Sequence, residues 1–310
     1  MQLEKGGETG RASGHWFVLA AAVLWGTTGT AQAFAPPGAQ PAVVGALRLA
    51  IGGIALLALA LARGALRSEK RWPALATACA AGSMAAYQLC FFAAVIKTGV
   101  AVGTLVAIGS APILAGGLGW LVRREHPGRK WLAATVLAVL GCSLLIAAGA
   151  SPAGRDASLA GRDAGMRVNV LGVILALGAG VAYATYAVAS KGLLEEHPPE
   201  AVMAVVFCLG ALFLSPMLFA ADLNWLAQPR GLGVVLHLGL VATAAAYTLF
   251  ARGLMAVPVA TAVTLSLAEP LTAGTPGVVV LGEQLTLVTA LGMGLVFSGL
   301  ALLSLGRRAV

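Results

Sequence analysis

Pro112-Ile113-Leu114-Ala115-Gly116, followed by Gly119 and Glu125, returns 158 residues later as Pro270-Leu271-Thr272-Ala273-Gly274, followed by Gly277 and Glu283. These identities share one register within 14 residues, and the same offset pairs Trp25 with Tyr183, Thr27 with Thr185 and Gly141 with Gly299. The repetition divides the chain into a first five-helix repeat at residues 1–150, a linker at 151–168 and a second five-helix repeat at 169–310.

What surrounds these motifs is almost wholly apolar. Hydrophobic residues make up 59 % of the chain and charged residues 10 %, with a mean hydropathy of +0.90. Soluble domains carry roughly 45–50 % apolar and about 25 % charged residues. Crossing an apolar core of about 30 Å takes roughly 20 helical residues. Ten such stretches are predicted: Trp16–Phe34, Ala42–Ala62, Trp72–Val95, Val100–Val122, Trp131–Ala150, Val170–Ser190, Ala201–Ala221, Leu232–Phe250, Val257–Val280 and Leu285–Leu305. They must be helices, because an unclosed sheet would leave edge amides unpaired in lipid. The expected fold is therefore an all-α integral membrane protein with ten transmembrane helices arranged as two inverted five-helix repeats. An odd number of spans per repeat is what inverts the second. Ala31-Gln32-Ala33 also resembles a signal-peptidase site, and cleavage there would leave nine spans.

The net charge of +8 does not mark a nucleic-acid binder, because Lys and Arg sit in short clusters between apolar runs. Those clusters orient a membrane protein. With a cytoplasmic N-terminus, 14 of the basic residues fall inside, among them Arg63, Arg123, Lys191 and Arg252, against five outside, Lys97, Arg155, Arg162, Arg167 and Arg230. The expectation is a multi-pass protein of the inner (plasma) membrane with both termini cytoplasmic. Glu125 is then inside and Glu283 outside.

These features resemble the EamA-like group of the drug/metabolite transporter superfamily. The resemblance rests on Leu24-Trp25-Gly26, on Arg48 opening a span that closes in Ala62-Arg63-Gly64, and on Ala268-Glu269-Pro270. Leu281-Gly282-Glu283 and Gly292 with Gly299 complete it. The first half departs from the pattern, with Ser110-Ala111-Pro112 opposite Glu269-Pro270 and Arg123-Arg124-Glu125 in place of the Gly-Glu turn. The resemblance implies an exporter of metabolites, amino acids or toxic compounds and leaves the substrate open.

Several residues suit a transport site. Glu269 lies near the middle of the ninth predicted span, where a carboxylate is costly unless paired or protonated. Two roles follow, coupling or gating on one side and structural hydrogen bonding on the other. Pro112 and Pro270 each remove a backbone donor and free the carbonyl one turn earlier, and paired interruptions in corresponding spans point to a solute site beside them. Trp25, Tyr87, Gln88, Tyr183, Tyr186 and Tyr247 lie inside spans, and Trp25, Tyr183 and Tyr186 sit well away from the interfacial belt where Trp and Tyr concentrate. They are the expected substrate-binding residues, in a wet pocket suited to zwitterionic or mildly apolar solutes. His237 is expected at the outer surface or in packing, Arg48 to find a partner or snorkel, and Arg252 to cap a helix end. Trp16, Trp72, Trp120 and Trp131 are expected as interfacial anchors.

No Walker loop, no His-Glu-x-x-His, no Gly-x-Ser-x-Gly and no metal-ligand spacing occurs, so neither an enzyme, a cofactor nor a bound metal is expected. The functional expectation is a secondary transporter, an exporter of small organic solutes by alternating access, with protons a candidate coupling ion and oligomeric state open. An importer or facilitator of the same solutes, or a non-saturable channel, is the alternative.

Overall fold

The computed structural model describes residues 2–67, 70–149, 169–273 and 286–305, all helices and connections among the described residues. The helices are α1 (Gln2–Ala33), α2 (Pro41–Ala62), α3 (Ala74–Gly99), α4 (Val102–Arg123), α5 (Arg129–Gly149), α6 (Val170–Leu194), α7 (Pro199–Phe219), α8 (Pro229–Ala256), α9 (Val259–Ala273) and α10 (Leu287–Leu305). Eight of them, α2 to α8 and α10, are long and apolar enough to cross a membrane. Two expected spans fall outside that set. In α1, Thr27, Thr28, Thr30 and Gln32 dilute the apolar face; α9 has fifteen described residues, and residues 274–285 beyond it are outside the described set, as is the 151–168 linker. Gly274, Gly277 and Glu283 of the second repeat motif fall there too.

Helix α3 runs into α4 with a single break at Gly99, whose φ of 79° and ψ of 161° lie in a region that glycine enters without a Cβ penalty. At the far end of α4 the chain turns through Arg124 at φ 54°, and the Arg124 and Glu125 N–H groups donate back to the Trp120 and Gly119 carbonyls, both at 3.1 Å. Asn or Gly is the usual choice there. Pro112 does not break α4, in which only Gly99 departs from helical dihedrals. By contrast α9 turns at Ser266–Leu267, just before Pro270. The two prolines therefore do not interrupt their helices alike. Pro270 cannot bond Ser266 O, and the Glu269 N–H takes that carbonyl instead at 3.0 Å.

In lipid, helices gain little from hiding apolar faces from each other, so close packing of small residues holds them together. The α5–α10 crossing shows this. A Cβ on Gly141 would lie 2.6 Å from Gly292 O and from Val296 N, and one on Gly299 would lie 2.7 Å from Ala134 O. Gly53 of α2 likewise meets the Phe207–Cys208 backbone of α7. The other large contacts put α6 against α3 and α4, and α1 against α8 and α9.

Contacts also order the helix ends. Gly14, near the start of α1, packs on Ala256 and Val257 at the end of α8. Lys191, near the end of α6, donates to Val257 O at 2.5 Å. Gly172, at the start of α6, packs instead on Lys97 and Thr98 at the end of α3. Helix α1 thus starts at the end of the bundle where α6 finishes, so the two run antiparallel.

Replacing Gly141 by Leu should lower thermal stability in detergent by about 1–3 kcal/mol through forced separation of α5 and α10. Gly294→Ala, where an added Cβ meets nothing within 4 Å, should leave the melting temperature unchanged.

Candidate solute cavity and its closures

Midway along the bundle lies a cavity of about 60 Å³, lined by side chains of both halves: Trp25 and Thr28 of α1, Arg48 of α2, Tyr87 and Gln88 of α3, with Tyr183, Tyr247, Ser266 and Glu269. A space of this size, lined by polar groups, is roomy enough to admit water. Five of the six residues expected to bind substrate line it. Tyr186 does not: it is fully buried behind the wall, its hydroxyl donating to Met203 Sδ at 3.4 Å and its ring T-stacked on Phe207. Of the residues assigned to coupling or gating, Glu269 lines the cavity. Pro112 follows Ala111 and Ile108, which do, and Pro270 adjoins Glu269. Thr28 and Ser266 were not singled out in the sequence; the signal was their spacing, one helical turn from Trp25 and Glu269 and on the same faces.

An aromatic cluster forms the wall. The Trp25 ring lies 4.9 Å from Tyr247 and 5.4 Å from Phe250, and Tyr87 lies 5.6 Å from Tyr183. Such tilted pairs fix ring orientation beyond what burial alone provides. Trp25 is 5 % exposed, yet its indole Nε1–H has no hydrogen-bond partner among the described residues. Buried indole N–H groups are normally paired, so this open donor, like that of Trp225, is an exception, and it belongs to a residue that lines the cavity.

Among the described residues Arg48 is held by hydrogen bonds and no ion pair. Its Nη2 donates to Ala242 O and its Nε to Thr243 Oγ1, both at 3.2 Å. The acceptors belong to a π-helical stretch of α8, His237–Ala245, whose wider turns change which carbonyls are taken up within the helix. The Thr243 hydroxyl itself donates five residues back to Leu238 O at 2.8 Å. Among the described residues no ion pair joins Arg48 to Glu269, although both line the cavity. Close by, Thr27 Oγ1 donates to Leu24 O at 2.7 Å and lies 2.8 Å from His237 Nε2. A hydroxyl has one proton, so with that proton on Leu24 O the imidazole Nε2 carries hydrogen and donates to Thr27. His237 therefore ties α8 to α1 rather than standing free at the surface.

One end of the bundle is shut by two carboxylate clamps. Glu200 Oε1 accepts from Arg63 at 2.5 Å and from Arg252 at 2.8 Å, with its side chain 10 % exposed. Arg252 thus bridges α8 to α7 and does not cap a helix. Glu125 is the second clamp: Oε2 accepts the Val259 N–H at 2.8 Å, and Oε1 lies 3.4 Å from Lys191 Nζ and 3.3 Å from Arg123 Nε. Arg123 also bonds Glu195. Together Lys191 and Glu125 grip both sides of the α8–α9 junction, at Val257 O and Val259 N. Both clamps join the first half to the second. Half-buried, multiply bonded carboxylates of this kind are stronger than exposed pairs.

Among the described residues no group of three or more His, Cys, Asp or Glu side chains is placed to hold a metal.

A model of the EamA-like transporter family matches the chain twice, at residues 12–147 and 170–305. The uncharacterized transporter YwfM of Bacillus subtilis (strain 168) is 48 % identical over 295 residues, 94 % of each chain. The threonine/homoserine exporter RhtA of Escherichia coli (strain K12) is 32 % identical over 286 residues, covering 91 % of this chain and 87 % of its own. A solved crystal structure shares the fold with a TM-score of 0.78 at 24 % identity, covering 95 % of this chain and 97 % of the other. With both halves matched by one family model, the chain belongs to the EamA-like transporter family and is a membrane transport protein, not an enzyme.

Proposed function

We propose that the chain is a secondary transporter that exports small organic solutes across the inner membrane by alternating access, with the central cavity as its solute site. The observation that carries this reading is the central cavity, which draws polar and aromatic side chains from both halves, among them Arg48, Glu269 and Trp25, whose indole N–H is unpaired. A guanidinium and an indole N–H suit a carboxylate, and a carboxylate suits an ammonium group. The cavity thereby favours zwitterions, amino acids foremost, and its volume is far below the roughly 300–1,000 Å³ of a drug-sized pocket. RhtA, a threonine/homoserine exporter by name, supports the same solute class.

The antiparallel course of α1 and α6 supports reading the halves as inverted five-helix repeats of a ten-span protein, the arrangement that lets two similar bundles rock about a midplane site. With the N-terminus cytoplasmic, the Arg63–Glu200–Arg252 and Glu125–Lys191 clamps both lie on the inside. They are the contacts that part when the cavity opens inward.

Four outcomes test this reading. Purified protein in liposomes should show saturable, trans-accelerated counterflow of a small neutral amino acid; linear, non-saturating flux would indicate a channel. Trp25→Phe keeps the ring but removes the donor, and should weaken apparent solute affinity about tenfold. Glu200→Gln leaves two arginines without their carboxylate, so a cysteine at Ala111 in a cysteine-free background should label faster from the cytoplasmic side; an unchanged rate removes the clamp from gating. Glu269→Gln separates coupling from structure: a coupling residue loses accumulation driven by a pH gradient but retains solute–solute exchange, whereas a structural one shifts both or neither.

A further inference from the structure

Between α4 and α5, on the outside of the bundle, runs an apolar groove of about 580 Å³ that the solute pathway does not use. Its walls include Ile113, Trp120, Leu132 and Val136, all exposed, and its end is formed by Pro127 in the short loop joining the two helices. It belongs to the clamped end of the bundle, since that loop follows directly on Glu125. The groove exists because α4 has glycines where larger residues would fill it. Gly116 receives the Trp131 ring, an added Cβ there falling 2.6 Å from it, whereas Gly117 has open space within 4 Å.

We propose that this groove binds one acyl chain of an anionic phospholipid, with its headgroup against Arg124 and Arg129. Three observations converge. The groove opens among spans toward hydrocarbon, where an unfilled apolar cleft of this size loses dispersion contacts on every wall. Two exposed arginines flank Pro127 in the chain, Arg124 in the left-handed turn and Arg129 at the start of α5. Basic residues at helix ends on the cytoplasmic side recruit anionic headgroups. Its back wall, finally, is tied to the transport machinery. The Trp131 Nε1–H donates to Thr264 Oγ1 at 3.0 Å, Thr135 Oγ1 lies 3.0 Å from the same oxygen, and Thr264 donates to Ala260 O at 2.9 Å. Thr264 lies on α9, two residues before the turn that positions Glu269. Trp131 is therefore not a simple interfacial anchor: one face of its ring helps form the groove while its N–H holds α9. A lipid seated here braces the α5–α9 contact, and its loss loosens the helix that carries Glu269.

The test uses the full-length protein and two probes sharing the same dioleoyl chains, phosphatidylglycerol and phosphatidylcholine, with binding read by native mass spectrometry and stabilisation by thermal unfolding. Wild type should prefer phosphatidylglycerol, and each of Arg124→Gln and Arg129→Gln should cut that preference about fivefold. Gly117→Leu places a branched side chain in the groove from a position where an added Cβ meets nothing within 4 Å, so it should abolish the bound lipid and the stabilisation while leaving the lipid-free melting temperature in place. Should that variant insert poorly, Val136→Phe at an exposed position repeats the occlusion. Equal binding of the two lipids, or unchanged binding to both occluded variants, overturns the proposal. So does a change of oligomeric state with lipid occupancy intact, which would make the groove an interface between copies of the chain. None of these readouts depends on transport, so failure here and failure of the exporter reading are distinguishable.

Discussion

Hydrocarbon offers no hydrogen-bond partners, so each polar group carried into the membrane must find one within the protein. That constraint accounts for most of the specific geometry in this chain. Arg48 enters the bundle and is met by a π-helical stretch of α8 whose Ala242 carbonyl and Thr243 hydroxyl accept from it. The Thr27–His237 contact joins α1 to α8 in the same way, and the Trp131–Thr264–Thr135 cluster joins α5 to α9. Among the described residues a few buried polar groups stay unpaired, the indole N–H groups of Trp25 and Trp225 among them, and of these residues Trp25 is the one that lines the cavity.

The cavity and the clamps solve different problems with the same chemistry. In the cavity, Arg48 and Glu269 line one small space without an ion pair between them among the described residues, so neither side chain is locked to the other. At the clamped end, Glu200 and Glu125 are saturated by partners from both halves. Removing one partner from such a cluster leaves a charge uncompensated, so the cluster tends to hold or part as a unit. Small residues complete the arrangement: at Gly141, Gly292 and Gly299 the α5 and α10 backbones nearly touch, giving a stiff seam, while the polar contacts lie where motion is needed.

Much of this was legible in the amino-acid sequence, for identifiable reasons. Apolar runs of bilayer length give helices, because nothing else satisfies a backbone in lipid. Tyr and Trp away from the interfacial belt mark a polar interior, and Trp25, Tyr87, Tyr183 and Tyr247 do line it. Gln88, the single amide among the expected binding residues, does so too. Where the reading went astray, long-range packing was responsible. Tyr186 lies one helical turn from Tyr183 and has the same local pattern, but packing from a neighbouring helix encloses it between Met203 and Phe207. Pro112 and Pro270 occupy matching places in the repeat, yet only α9 turns beside its proline.

What the sequence by itself determined was the solvent this chain lives in, the helices that solvent forces, the internal duplication and the family resemblance carried by short motifs. All of these depend on composition and on residues near one another in the chain. Only the tertiary structure decided which charges meet. Arg63 and Glu200 lie 137 positions apart, and Glu125 and the Val259 amide 134. Nothing local specifies such pairs, because a charged residue at a helix end is equally at home in water, at a headgroup or against a partner. The choice among these is made by how the neighbouring helices cross, and those crossings are set by where glycine lets two backbones approach.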